Sequence, residues 1–230
     1  MLPETMPVCP VRGSVIYPTM VMPIDAGRPI SIRAIDEALA RDRVLLIVSQ
    51  RDKEVETPRP SDLFEVGTAC NILKMRKNPD GSVQVLVQAF ARVRVREWLD
   101  LGDHLEARGE VLADEPGEPI LVKALVREVK DKFQALLKEG KYLAPEVAQF
   151  ILNLEDASQL ADYVAFHMDF RLEDKQKVLE TANVAERLRA VLVLLEAELA
   201  LIETQRRIQQ QVKEEIDRNQ REYFLREQMK

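Results

Sequence analysis

The sequence predicts an α+β fold, in which a β-rich N-terminal lobe with one inserted helix precedes an α-helical bundle that ends in a long extended helix. Two observations support this prediction. All 8 glycines and all 12 prolines lie in residues 1–145, and none lies in residues 146–230. Both residues punctuate short elements, whereas a segment that uses neither is free to run as helix. The spacing of apolar residues also changes, from two in the first half to three and four in the second.

The clearest strand pattern runs from residue 82 to residue 96. Alternate residues of a strand share a face. One face carries Val83, Val85, Val87 and Ala89, and the other carries Gln84, Leu86 and Gln88. Phe90 and Ala91 shift this phase before the alternation resumes, as a β-bulge does. We therefore predict one long, bulged strand.

Five further strands and one helix complete the predicted lobe. The turn sequence at residues 78–81, Asn-Pro-Asp-Gly, joins the long strand to one at residues 66–77 as a hairpin. Other strands are predicted at residues 6–11, 20–24, 44–48 and 105–112, and a helix is predicted at residues 31–42. Such a set of short strands indicates a small, mostly antiparallel barrel or sandwich.

Helical spacing begins after the boundary at residues 115–119. An apolar stripe that starts at Leu121 predicts a helix that stops at Gly140. Asp156 and Asn183 are predicted to cap two later helices, and Glu186 completes the pattern of a capping box with Asn183. The shorter helices are predicted at residues 145–154, 157–168 and 172–181.

The final segment, from Asn183 to Lys230, is predicted to be one helix about 70 Å long. Its apolar stripe packs against the bundle as far as Ile202 and then thins to Ile208, Val212 and Ile216. Beyond residue 202 the charges fall in pairs four residues apart, namely Glu203 with Arg207, Glu214 with Arg218, Asp217 with Arg221 and Glu222 with Arg226. Such an arm is either a solvated spacer or one strand of a coiled coil with a copy of itself.

The end of the arm carries an apolar cluster that includes Tyr223 and Phe224, and no glycine, asparagine or proline follows to end the helix. We expect the helix to continue into a further domain, with fraying at a terminus as the alternative. The predicted parts are a β-rich lobe (1–116), an α-helical bundle (117–202) and an extended linker or coiled-coil arm (203–230), the last belonging to a helix that starts near residue 184.

Composition and charge exclude several classes of protein. With 46% hydrophobic residues, 31% charged residues and a net charge of −6, the chain is neither disordered nor a general nucleic-acid binder. It lacks a signal sequence and any apolar run that would span a membrane, so we expect a cytoplasmic protein without membrane contact. For Cys9 and Cys70 we favour two buried thiols over a disulfide, because that compartment is reducing.

Motifs for catalysis, metals and cofactors are not found. A P-loop requires glycines and a Gly-Lys pair followed by serine or threonine, but Tyr142 follows Gly140-Lys141. The chain lacks the H-E-x-x-H and G-x-S-x-G patterns. His104 and His167 are too far apart for a sequence-local ligand set, and His167 is interpreted as a core-edge residue. We expect no catalytic, cofactor or metal site in this chain.

The sequence resembles the N-terminal region of Lon proteases along its whole length. Residues 219–230, Asn-Gln-Arg-Glu-Tyr-Phe-Leu-Arg-Glu-Gln-Met-Lys, look like the segment that joins this region to the ATPase module of the family. Further similar positions are Pro10-Val11-Arg12, Tyr17-Pro18, Pro23, Gly27-Arg28, Gly67-Thr68, Asp80-Gly81, Arg92, Leu160-Ala161-Asp162, Lys175-Gln176, Leu179-Glu180 and Arg187-Leu188. Gly13 and Ala89 depart from the family pattern.

The resemblance implies an ATP-dependent AAA+ serine protease that assembles as a homo-hexamer. In that family, a β-rich lobe similar to the PUA fold and a helical bundle help to select damaged or unfolded proteins. The ATP and Mg sites and the catalytic Ser and Lys would lie outside this chain.

Recognition of unfolded chains requires an exposed apolar surface that tolerates varied sequences. The predicted substrate-contact patch comprises Tyr17, Met20, Met22, Pro23 and Met75, and the alternative is that these are core residues. The arm contacts are predicted at Ile208, Val212, Ile216, Tyr223 and Phe224. A structural role as spacer and oligomerisation element is the alternative function. RNA binding by a PUA-like lobe is less favoured, because only 5% of residues are aromatic in an acidic chain.

Overall fold

The computed structural model describes residues 2–140 and 143–229. Lys141, Tyr142 and Lys230, which were named above, lie outside the described residues. The predicted α+β order of a β-rich lobe, a helical bundle and a long helix is confirmed. The strands are β1 (Met6–Val11), β2 (Val21–Ala26), β3 (Val44–Ser49), β4 (Val66–Lys77), β5 (Val83–Asp100) and β6 (Leu105–Val111). The helices are α1 (Pro29–Ala40), α2 (Pro119–Lys138), α3 (Pro145–Leu152), α4 (Ala157–His167), α5 (Leu172–Glu180) and α6 (Val184–Gln228).

The six strands form one sheet in the order β2-β5-β4-β3-β1-β6. The sheet closes because β5 is 18 residues long and pairs with β6 as well as with β4 and β2. Among the six strands of the described residues, the β1–β3 pair is the only parallel one, and the intervening β2 and α1 supply the long connection that parallel strands need. The result is a closed five-stranded barrel to which β2 adds an outer edge.

A bulge at Phe90 moves β5 from one apolar core to another. Ala91 pairs with Ala69 and Ala89 pairs with Cys70, which leaves Phe90 without a partner and confirms the predicted bulge. Before the bulge, the inward residues of β5 join a core beneath α1, and after it they join the core with β6. One extra residue changes the strand phase, so a single strand can serve both cores.

A third apolar core is shared by the lobe and the bundle. It contains the buried faces of α2, α4 and α6 together with Tyr17, Met20 and Val66 from the lobe. The two halves therefore meet across packed apolar side chains rather than through a solvated linker.

Side chains satisfy free backbone amides at the start of α2, α4 and α6, whereas α3 and α5 begin without a side-chain cap. Asp156 accepts a hydrogen bond from the amide of Gln159, and Asn183 accepts one from the amide of Glu186, which confirms both predicted caps. Gly140 follows α2 at a φ of +90°, a conformation that suits glycine and ends the helix.

Helix α6 has 45 residues, and its two halves have opposite surroundings. Its buried residues all lie between Val184 and Leu195, whereas every described residue beyond 202 is exposed. Within the described part of the arm, none of the four predicted charge pairs forms an ion pair. Arg206 instead pairs with Glu139 of the loop after α2, and Gln210 donates to Glu214 at 3.0 Å. Ion pairs between exposed side chains contribute little free energy, because the entropy lost by holding two long side chains together offsets most of the attraction.

Candidate functional site

The structure separates the five residues of the predicted contact patch. Tyr17 (0% exposed) and Met20 (4% exposed) are buried in the core between lobe and bundle. The Tyr17 hydroxyl donates to the carbonyl oxygen of Lys175 at 2.8 Å, and burial raises the pKa of Tyr17 well above its usual value. The expectation of an exposed surface is therefore corrected for these two residues, because packing lobe against bundle requires apolar side chains here.

The other three patch residues remain closer to solvent. Met22 and Met75 are partly buried against the core beneath α1, and Pro23 is exposed. Met22 and Pro23 lie on β2, which pairs with one edge of β5. Met75 lies on β4, which pairs with the other edge of β5, and its partner there is Val85. The five residues thus do not form one continuous surface in the folded chain.

A different set of apolar residues forms an exposed face on the ribbon of β2, β5 and β4. Strand register places Val21 opposite Gln88, and places Pro23 and Lys74 on either side of Leu86. The side chains of this face point away from the core beneath α1. We call it the ribbon face, and it comprises Val21, Pro23, Leu73, Leu86 and Phe90.

Bulges add two of the five residues to the ribbon face. Leu73 is the extra residue where the register of β4 shifts between Ile72 and Lys74, and Phe90 is the extra residue of β5. Their exposed fractions are 43% and 38%, and that of Val21 is 54%. Because bulges commonly redirect a side chain, these apolar groups reach solvent instead of a core. The ribbon face therefore combines the exposed Val21, Leu73 and Phe90 with the half-buried Leu86, and the polar Lys74 and Gln88 lie among them. Exposed apolar side chains grouped on one face are a feature of interaction sites.

Part of the ribbon face was visible in the sequence. Leu86 lies between Gln84 and Gln88 on the otherwise polar face of the predicted strand, and a large apolar residue on such a face is informative. Pro23 was named in the predicted patch. Val21 and Leu73 carried no such signal, because their position on this face depends on the pairing of three strands.

A buried ionic cluster joins the lobe to the bundle beside Tyr17. Arg92 of β5 pairs with Asp162 of α4, and Arg187 of α6 pairs at 2.7 Å with Asp114, which precedes α2. Ser158 bridges the cluster, since it accepts from Arg187 at 2.6 Å and donates to Asp114. Three of these residues, Arg92, Asp162 and Arg187, were noted in the sequence only as part of a resemblance, and the structure brings them together.

Backbone carbonyls complete the pairing of the two guanidinium groups. Arg92 donates to the carbonyl of Leu179 at 3.1 Å, and Arg187 donates to that of Thr181 at 2.8 Å. Buried charges are tolerated when they are paired and hydrogen-bonded in this way. The cluster therefore fixes the orientation of the bundle relative to the ribbon.

The two carboxylates of this cluster respond differently to their surroundings. Burial raises the pKa of Asp162 to about 6, although Arg92 and Arg187 act in the opposite direction. Burial also acts to raise the pKa of Asp114, but hydrogen bonds from Arg187 and Ser158 outweigh it and hold that pKa below its ordinary value. The difference follows from the complete burial of Asp162, while Asp114 is partly exposed.

Other chemically interesting residues show no organised site within the described part of the chain. Cys9 and Cys70 are free and buried, as predicted, and burial raises the pKa of both thiols, that of Cys9 to about 11. His167 is half-buried and packs against Tyr163 and Phe166. Among residues 2–140 and 143–229, no group of three or more His, Cys, Asp and Glu side chains is arranged to hold a metal ion. No helix in those ranges combines the length and apolar character that crossing a bilayer requires.

The predicted arm contacts are all exposed. Ile208, Val212 and Ile216 lie at helical spacing along α6, and Tyr223 and Phe224 follow near its end. This spacing gives the arm a narrow apolar stripe on one side.

Comparison with known proteins identifies the family to which this arrangement belongs. The model of the ATP-dependent protease La (LON) substrate-binding domain matches residues 5–197. The chain belongs to this family. It is 41% identical over 224 residues to the Lon protease of Erwinia amylovora and 39% identical over 224 residues to that of Escherichia coli (strain K12). Each match covers 97% of this chain, which spans about 29% of the length of either relative.

Solved structures of Lon N-terminal domains share the fold. The N-terminal domain of Mycobacterium avium complex Lon protease superposes with a TM-score of 0.70 at 25% identity, over 84% of this chain and 98% of that one. The Lon N-terminal domain protein from Xanthomonas campestris superposes with a TM-score of 0.55 at 13% identity, over 82% of this chain and 97% of that one. The match to a Lon substrate-binding domain thus extends from the lobe through the bundle.

Proposed function

We propose that this chain is the non-catalytic substrate-recognition region of a Lon protease and that its ribbon face contacts unfolded or damaged proteins. The main support is that β2, β4 and β5 together expose Val21, Leu73 and Phe90 beside Pro23 and Leu86. Folded proteins bury most of their large apolar side chains, whereas unfolded chains present them. A shallow apolar face on a rigid sheet distinguishes the two states without requiring one particular sequence.

The test compares variants of the ribbon face with a matched surface control. Leu86→Ser combined with Phe90→Ser removes apolar area from the face while leaving the inward residues of β5 intact. Leu101→Ser and Val193→Ser are the controls, since both residues are exposed elsewhere. Binding is measured by NMR titration with one model protein in a stably unfolded and a native form.

We expect the unmodified chain to bind only the unfolded form, with chemical-shift changes on the ribbon. The double variant should lose about tenfold or more in affinity, because two apolar contacts are removed. The control variants should bind as the unmodified chain does. Unchanged affinity of the double variant, at unchanged thermal stability, would show that the ribbon face is not the contact surface.

The wider role is proposed from membership of the Lon family. We propose that captured segments pass from this region to an ATPase and protease ring of a cytoplasmic homo-hexamer, and that ATP and Mg bind in that ring and not to this chain. The proposed functional division is a recognition lobe at residues 1–116, a bundle at 117–202 and a linking arm at 203–230.

A structural role is the second candidate, and the apolar stripe of the arm favours it. Ile208, Val212 and Ile216 are exposed at the spacing that a thin coiled coil uses. If the arm pairs with a copy of itself, truncation after Ile202 will convert an oligomer to a monomer in sedimentation analysis. If the full chain is already monomeric at the concentrations tested, the arm by itself is a spacer.

A further inference from the structure

The outer edge of β2 is an unpaired sheet edge. Strand β2 is terminal in the sheet order and pairs only with β5 among the described residues. Free edges of sheets offer backbone donors and acceptors in a row, and proteins use them to recruit extended peptides.

Backbone hydrogen bonds establish which groups of β2 point outward. The Ala89 amide donates to the Met20 carbonyl at 2.8 Å, and the Ala89 carbonyl accepts from the Thr19 amide at 2.9 Å. Bonded and non-bonded positions alternate in an antiparallel pair, so Met22, Ile24 and Ala26 are the residues of β2 that bond to β5. The remaining residues, Val21, Pro23 and Asp25, direct their backbone groups away from β5.

A groove of about 370 Å³ runs along this edge. It is lined by five consecutive residues, from Met22 to Ala26, and neighbouring strand side chains point to opposite faces. Because the groove is lined by consecutive residues, it must follow the outer edge of β2 and not one face of the sheet. Its far wall is formed by the end of β1, including Pro10 and Val11.

The charges at the groove are nearly balanced. Arg12 and Arg28 both line the groove, and Arg28 is fixed by hydrogen bonds to Gln50 and to the Pro10 carbonyl, the latter at 2.8 Å. Burial, together with the nearby Arg12 charge, lowers the pKa of Arg28. Glu56 pairs with Arg12 at 3.1 Å, and Asp25 of the groove lining supplies a second carboxylate, so the two arginines face two acidic groups.

We propose that an extended apolar segment of a bound polypeptide pairs as an additional strand with the free edge of β2. This rests on the proposed recognition function and specifies how the main chain of the unfolded protein is held. The outward groups of Val21 and Asp25 supply donors and acceptors, and the ribbon face and the groove accept side chains from the two faces of the added strand.

Pro23 limits the strength of this pairing. It occupies an outward position but has no amide hydrogen, so the ladder offered by β2 lacks its central donor. Proline on an exposed edge also prevents neighbouring copies from pairing continuously. The edge therefore binds peptides weakly and reversibly, which suits a region that must release them.

Selectively methylated peptides provide the first test. The probe is a short synthetic peptide of alternating valine and threonine, prepared unmethylated and with N-methyl groups on either alternate set of residues. Only one set of amides faces β2 in an added strand, so methylating that set should weaken binding about tenfold or more, and methylating the other should have little effect. Equal effects of the two sets would overturn the proposal.

The second test restores the missing donor. Pro23→Val adds an outward amide while retaining an apolar side chain, and should tighten binding of the unmethylated peptide about fivefold. An unchanged or weaker affinity at unchanged melting temperature contradicts strand addition. These results can be separated from the test of the proposed function. If the two methylated peptides bind equally but the Leu86 and Phe90 double variant loses affinity, only strand pairing is rejected. If the double variant binds as the unmodified chain does, the ribbon face is rejected as the recognition surface.

Discussion

The two halves of α6 share one continuous helix but are held by different interactions. Val184 to Leu195 contributes all the buried residues of α6, including Arg187, which is 0% exposed. The arm beyond residue 202 contributes none within its described residues. The absence of glycine and proline and the predominance of good helix formers permit the helix to continue. Helical structure in the arm therefore does not depend on burial, whereas the position of the bundle does.

The largest expected contrast between these halves comes from their arginines. Arg187→Ala should destabilise the chain by about 3–5 kcal/mol, because it leaves Asp114 and Asp162 with fewer partners in a buried cluster. Arg207→Ala, in the exposed arm, should change the unfolding free energy by no more than about 0.5 kcal/mol. Chemical denaturation followed by circular dichroism measures both. Similar effects of the two substitutions would mean that the cluster does not secure the junction.

A smaller effect is expected from the protonation of Asp162. Its pKa is raised from 3.8 to about 6, so the folded state binds this proton more tightly than the unfolded state. The resulting stability, on the order of 3 kcal/mol, is fully present below about pH 3.8 and is lost as the pH rises through 6. As the pH is lowered from 7 to 4.5, the unfolding free energy of the unmodified chain should therefore increase relative to that of the Asp162→Asn variant.

The Asp162→Asn reference removes other titrations from this comparison. His167, whose pKa is lowered by burial and by the charge of Lys175, is present in both proteins, so its titration cancels from the comparison. Asp114 has a lowered pKa, so its contribution is lost only as the pH falls below the window. A constant difference between pH 4.5 and pH 7 would show that Arg92 and Arg187 keep Asp162 ionised throughout.

The smallest effect on stability is expected from deletion of residues 203–230. Because the described arm buries none of its residues, the denaturation midpoint of the remaining chain should not change measurably, while the helical signal falls by the length of the arm. The comparison is made at low protein concentration, where self-association does not contribute. A lower midpoint would show that the arm supports the bundle and that the two halves of α6 are not independent.

Local patterns predicted most elements of this fold. The observed ranges of β4 and β1 agree with the predicted ones, and the phase shift at Phe90 correctly located a bulge. Caps at Asp156 and Asn183 were also correct, because capping depends on residues only three positions apart. The predicted ion pairs of the arm do not form within its described residues. An i, i+4 spacing permits the contact, but the attraction does not offset the entropy lost when two exposed side chains are fixed.

The contact patch shows the limit of such reasoning. Met20 and Met22 are two residues apart, yet one is buried against the bundle and the other borders a groove. Met20 is buried because the bundle packs on the lobe, whereas Met22 lies among lobe residues, and the local spacing of the two methionines does not indicate this difference. Leu73 and Leu86 become neighbours only through strand pairing and a bulge.

The sequence by itself determined the α+β order, the change from turn-rich lobe to helical half, the long helix and the Lon resemblance, because these depend on spacing and residue type within short windows. Tertiary structure decided how the residues of the ribbon face come together, which edge of β2 is open, and the cluster of Arg92, Asp162 and Arg187. Each of these joins residues that are distant along the chain, and such contacts are fixed by burial and pairing in the whole fold.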